Sequence, residues 1–72
     1  MEQGYIVDWN DAKGYGFISR EGKRDVFMHV TAARGKWGPR VGDHVEYDIA
    51  SDDKGRLHAV NVYLIPYGET EP

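Results

Sequence analysis

The apolar residues of this chain fall in short runs that alternate with polar neighbours and stop at clusters of Gly, Asn and Asp. Runs of roughly four to eight residues with such boundaries are the signature of strands. No stretch keeps the 3.6-residue repeat that a packed helix requires. The first strand is placed at about Tyr5 to Trp9, ended by Asn10-Asp11, and the second at Tyr15 to Arg20, ended by Glu21-Gly22. The third covers Asp25 to Thr31 and the fourth His44 to Ala50; Ile18 of the second strand and Val26, Met28 and Val30 of the third are the inward residues, allowing for a local bulge. Asp52-Asp53-Lys54-Gly55 reads as a hairpin loop, and Leu57 to Ile65 as the fifth strand. The longest connection, Ala32 to Gly42, contains Gly35, Gly38 and Pro39 and has room for a single helical turn after Thr31. Five short strands in one chain suggest an all-β closed barrel, which leaves no exposed edge. Strand count alone fits an SH3-like barrel equally well.

Size and composition narrow the chemistry. At 72 residues there is one small domain, placed at residues 1–66 with a Pro- and Glu-containing tail at 67–72. The chain has no cysteine, hence no disulfide and no thiolate metal site, which fits a reducing compartment. No apolar run is long enough to span a bilayer, so the expected location is the cytoplasm, with no membrane contact by this domain. The net charge of −3 speaks against a polyanionic partner at first sight. Its distribution speaks otherwise. From Lys13 to Arg40 the cations Lys13, Arg20, Lys23, Arg24, Arg34, Lys36 and Arg40 face only Glu21 and Asp25, while most acids lie downstream.

The segment Lys13-Gly14-Tyr15-Gly16-Phe17-Ile18 is followed, after a tight turn, by Asp25-Val26-Phe27-Met28-His29. Strand side chains alternate between faces, so Tyr15 and Phe17 share one face of the hairpin with Phe27 and His29. Four exposed π-systems are costly as architecture. They suit single-stranded nucleic acid, because each base presents a π-face and each stacking contact contributes about 1–3 kcal/mol without demanding a sequence. The absence of side chains at Gly14 and Gly16 is read as room for a close ligand approach, and Lys13 as a phosphate contact.

These two motifs resemble the ribonucleoprotein motifs of the bacterial cold-shock proteins, five-stranded antiparallel OB-fold barrels that bind single-stranded RNA and DNA. The resemblance runs from Gly4 to about Val62; Asn10, Thr31-Ala32 and Val41-Gly42 also match. The Trp9-Asn10-Asp11 stretch is similar, too, to cold-shock domains that head longer bacterial proteins with a membrane-embedded remainder. Carried over by position, the resemblance assigns binding to Lys13, Tyr15, Phe17, Phe27 and His29. Two further aromatics join the candidates: Trp9, which also fits the barrel rim, and Trp37, in the glycine-containing loop where the family carries phenylalanine. The chain departs from the family at Asp8, where a stacking tryptophan is usual, and at Val30, where an exposed phenylalanine often follows the histidine. Tyr5 and Val7 replace basic residues of the first strand.

No nucleophile, paired carboxylate or ligand spacing is recognisable. His29, His44 and His58 show no metal-binding interval, so the expectation is a monomeric binding module, with neither enzymatic activity nor a cofactor nor a metal. Its partner is single-stranded RNA or DNA, with RNA chaperoning or regulation of transcription or translation as consequences. Asp8, Val30 and the acidic balance point to an alternative, a cold-shock-like barrel with weakened nucleic-acid binding that serves as a protein-interaction or structural module.

Overall fold

Turn residues cut the chain where its apolar alternation breaks, and the strands between them close on one another. In the computed structural model residues 1–66 are described, and the expected tail at 67–72 lies outside them. The strands are β1 (Glu2–Asn10), β2 (Tyr15–Arg20), β3 (Lys23–His29), β4 (His44–Ser51) and β5 (Leu57–Leu64), with a single 3₁₀ turn at Val30–Ala32. They form a closed barrel in the order β1-β2-β3-β5-β4, and β4 pairs back onto β1. Four seams are antiparallel, whereas β3 meets β5 in parallel at Phe27 and His58. The antiparallel expectation is corrected at that one seam. A ring of five strands cannot alternate direction throughout, so one adjacent pair must run the same way.

Residues facing the interior fill it. Ile6, Ile18, Val26, Met28, Val45, Tyr47, Ala59 and Val62 are buried, and Trp9, Ala32, Ala33, Trp37 and Ile49 pack against them. Burying an aliphatic side chain of this size contributes about 1.5–3 kcal/mol. Tyr47 is the largest of the group, and its hydroxyl has no hydrogen-bond partner among the described residues. Burial chiefly, with the nearby Glu2 carboxylate adding to it and Arg20 opposing, pushes its phenol above the ordinary tyrosine value.

The third strand ends earlier than its pattern suggests. Val30 is 41% exposed instead of buried, and Thr31 has left the sheet. The cause is local. His29 Nδ1 accepts the Thr31 amide at 3.2 Å, and the Ala33 amide donates to Val30 O at 3.1 Å, so the chain curls into a 3₁₀ turn. The expected helical turn is therefore present but begins at Val30.

The long connection is tied at both ends. The Arg34 amide donates to Val62 O at 2.8 Å, the Gly42 amide to Ile6 O at 2.7 Å, and the Ile6 amide to Asp43 O at 3.0 Å. The hairpin loop at Asp52–Gly55 forms as expected. Asp52 Oδ1 accepts the Lys54 and Arg56 amides, each at 2.9 Å, and Asp52 Oδ2 accepts Arg56 Nε at 2.8 Å.

A bulge in β1 decides what each side of β2 meets. Ile6 pairs with Ile18 and Asp8 with Phe17, leaving Val7 as the extra residue. Strict alternation after Ile6 would turn Asp8 inward and Trp9 outward; the bulge reverses both.

Candidate nucleic-acid interface

Asn10 sets up the approach to β2. Its side-chain oxygen accepts the Lys13 amide at 3.0 Å and its carbonyl the Gly14 amide at 2.8 Å, making a turn that Gly14 completes with φ +71°. The Val30 amide then donates to Gly14 O at 2.8 Å. The room expected at Gly16 is not there, and at that position the expectation is corrected. A Cβ on Gly16 would lie 1.9 Å from Asp8 O and 2.8 Å from the Trp9 ring, and one on Gly14 would lie 3.1 Å from Val30 Cγ1. Close packing of the chain against itself therefore requires Gly16, whereas Gly14 is fixed chiefly by its positive φ.

The register brings the expected rings together. Tyr15 lies opposite His29 and Phe17 opposite Phe27. Ring centroids are 5.5 Å apart for Tyr15 and Phe27, tilted by 38°, and 5.8 Å for Phe17 and Phe27, nearly edge to face at 75°. Such spacings give aromatic pairs about 0.5–1.5 kcal/mol beyond area burial. Phe17 and His29 are exposed, and Tyr15 and Phe27 half-buried. His29 Nδ1 accepts the Thr31 amide and lies 3.0 Å from Thr31 Oγ1, which holds the ring in one orientation.

Neither tryptophan belongs to this row. Trp9 lies opposite Gly16, on the inner side of the sheet, half-buried against the core, with Nε1 donating to Asp11 Oδ1 at 2.9 Å. Trp37 packs against the core from the loop, and its Nε1 donates to Arg34 O at 2.7 Å. Val30 adds no ring beyond His29.

Sequence reading did not single out what β5 adds. The β3–β5 seam places His58 beside Phe27. A shallow hollow of about 610 Å³ opens there between Phe17, Phe27, Leu57 and His58, with Asp25, Asp52 and Arg56 at its edge. A second, of about 290 Å³, lies between Phe27, His29, Thr31, Arg34, His58 and Asn61. Asn61 sits at an irregularity in the β4–β5 pairing with φ +52°, and its Oδ1 accepts Arg34 Nε at 3.2 Å. Asn tolerates that region better than other side chains, which is the only sequence signal for the feature. Hydrogen bonds from the Arg56 backbone first, and from Lys54 and the Arg56 side chain after it, hold the Asp52 carboxyl below its ordinary value.

Charge along the row is polarised. Lys13 and Arg34 lie toward the Tyr15–His29 end, whereas Asp8 stands directly opposite Phe17 and Asp25 lines the hollow beside it. Among the described residues the ion pairs are Arg20–Glu2, Lys23–Glu2 and Arg56–Asp52, so neither Asp8 nor Asp25 is neutralised. No group of three or more metal-ligating side chains converges among them, and none of their helices is long and apolar enough to cross a membrane.

A closed five-stranded barrel carrying this aromatic row defines a class of small β-barrel nucleic-acid-binding domain, and comparison with known proteins gives the family. The model of the 'Cold-shock' DNA-binding domain matches residues 2–65, and the chain belongs to the cold-shock domain family, whose members are in general nucleic-acid binders. It is similar to cold shock protein CspB of Bacillus caldolyticus, at 39% identity over 57 residues, 76% of this chain and 86% of that one. To the cold shock-like protein CspD of Haemophilus influenzae it is 36% identical over an alignment that covers 99% of each chain. The solved structure of drosophila Unr CSD456 superposes with a TM-score of 0.76 at 25% identity, covering 97% of this chain. This chain spans only 29% of that longer one.

Proposed function

We propose that this chain binds single-stranded RNA or DNA by stacking successive bases on Tyr15, Phe17, Phe27 and His29, with Lys13 contacting the backbone. One observation carries the reading: rings with centroids 5.5 and 5.8 Å apart stand on the outside of a barrel whose interior other residues already fill. Trp9 and Trp37 serve from beneath, Trp9 supporting β2 and Trp37 anchoring the loop that carries Arg34. Residues 1–66 act as the binding domain, monomeric and cytoplasmic, as a ligand-holding module and not an enzyme. Holding only the unpaired form shifts nucleic-acid folding equilibria by mass action, which is the basis for an RNA-chaperone or regulatory role. With few cations on the face, affinity should fall only gently with salt.

A second reading has a specific observation behind it: the carboxylate of Asp8 beside Phe17, together with a valine after His29. On that reading nucleic-acid affinity is weakened and the barrel serves as a protein-interaction module. Paired variants, Phe17→Ala and Phe27→Ala, separate the two. If both fold and each loses affinity for oligo-dT or oligo-U, stacking is the mechanism. Unchanged affinity in folded variants rejects it, and no binding by the wild type supports the second reading.

A further inference from the structure

We propose that Asp8 is a base-reading residue, selecting guanine over thymine or uracil at the position stacked on Phe17; the inference rests on the stacking mode proposed above. Aspartate is a poor strand residue, and this one sits mid-strand, paired with an exposed phenylalanine on the face that would carry an anionic ligand. No hydrogen bond or ion pair with another described residue engages its side chain. The Val7 bulge is what brings it to the outer surface, at the same step that turns Trp9 inward. Directly opposed residues place their Cβ atoms about 4.5–5.5 Å apart. A base lying over the Phe17 ring would therefore bring one edge against the Asp8 carboxylate.

An ionised carboxylate only accepts hydrogen bonds. Guanine offers it N1–H and an N2 amine side by side, two parallel donors matched to two oxygens. Cytosine and adenine each offer one amine next to a ring-nitrogen acceptor. Thymine and uracil offer a single N3–H flanked by two carbonyl oxygens, which the carboxylate repels. Guanine thus ranks first, and thymine and uracil last. The same charge keeps phosphates away from the Phe17 end, consistent with Lys13 and Arg34 lying toward the opposite end of the row.

The test is fluorescence anisotropy with labelled heptathymidylate, with heptamers carrying one guanine at each position in turn, and with inosine in place of that guanine. Wild type, Asp8→Asn and Asp8→Ala are compared after melting curves establish that all three are folded. The expected result is about a tenfold preference for guanine at one position, reduced by inosine, which lacks the N2 amine. The preference should fall below about threefold in both variants, while their affinity for heptathymidylate rises or holds. Equal binding of all heptamers by wild type, or a guanine preference that survives both substitutions, overturns the inference and leaves single-strand binding standing. Failure of wild type to bind any heptamer removes the stacking mode, and base reading with it.

Discussion

On its inner face the β2–β3 hairpin presents Gly16, Ile18, Val26 and Met28, all buried; alternating with them on the outer face stand Tyr15, Phe17, Phe27 and His29. The outer set carries more apolar surface per residue than the inner one. Hydrophobicity therefore does not decide which side is core. Register and closure do, because strand parity fixes the face and the interior has room only for the compact inner set. The rings left outside are surplus to folding, and their spacing gives them a use. The inner face should control stability and the outer face affinity, and substitutions can break or sharpen that division.

The largest effect is expected at Gly16. Gly16→Ala places a methyl group against the Asp8 backbone and the Trp9 ring, and we expect the domain to lose about 3 kcal/mol or more and largely unfold, as read by urea denaturation. Next comes Met28→Ala, which leaves a cavity in the core and should cost about 2–5 kcal/mol of stability. Once folded at lower temperature, that variant should bind a single strand as wild type does. The mirror case is Phe27→Ala, which should weaken oligo-U binding by about 1–3 kcal/mol while lowering stability by about 1–2 kcal/mol, the scale of its ring contacts and of a half-buried side chain. If stability falls as much as in Met28→Ala, the two faces are not separable.

Smaller effects probe polar groups. Tyr47→Phe removes a buried hydroxyl that has no partner among the described residues, so stability should stay level or rise by up to about 1 kcal/mol. The smallest effect is at the hairpin loop. Asp52 has its carboxyl held low by amide hydrogen bonds, so its contribution is complete above the unfolded-state aspartate value. It is lost as pH falls through the lower folded value. NMR titration should place this carboxyl below the ordinary aspartate range, and Asp52→Asn should flatten the acid limb of the stability profile.

Local alternation made the ring row legible: Tyr15, Phe17, Phe27 and His29 fall on one face because two short strands joined by a tight turn leave little freedom of register. The hairpin loop at Asp52 was legible for the same reason, since its hydrogen bonds span no more than four residues. What escaped depends on partners distant in sequence or on broken alternation. The Val7 bulge, which swaps the sides of Asp8 and Trp9, appears only when β1 is laid against β2. His58 and the hollow beside Phe27 exist because β3 and β5 close the ring in parallel. Val30 had the right parity for the core, but His29 capped the following amide and turned the strand aside. Trp37, expected as an exposed binder, is half-buried because the Arg34 carbonyl and the core hold it.

The central claim is that single strands bind on the outer face of β2 and β3. Titration of isotopically labelled wild-type protein with a uridine heptamer, followed by amide and aromatic chemical shifts, tests it most directly. The account predicts saturable changes concentrated at Tyr15, Phe17, Phe27 and His29, and none of comparable size with a duplex of the same length. Absence of saturation, or changes concentrated instead at the stacked Tyr5–His44 pair on the β1–β4 surface, would contradict it.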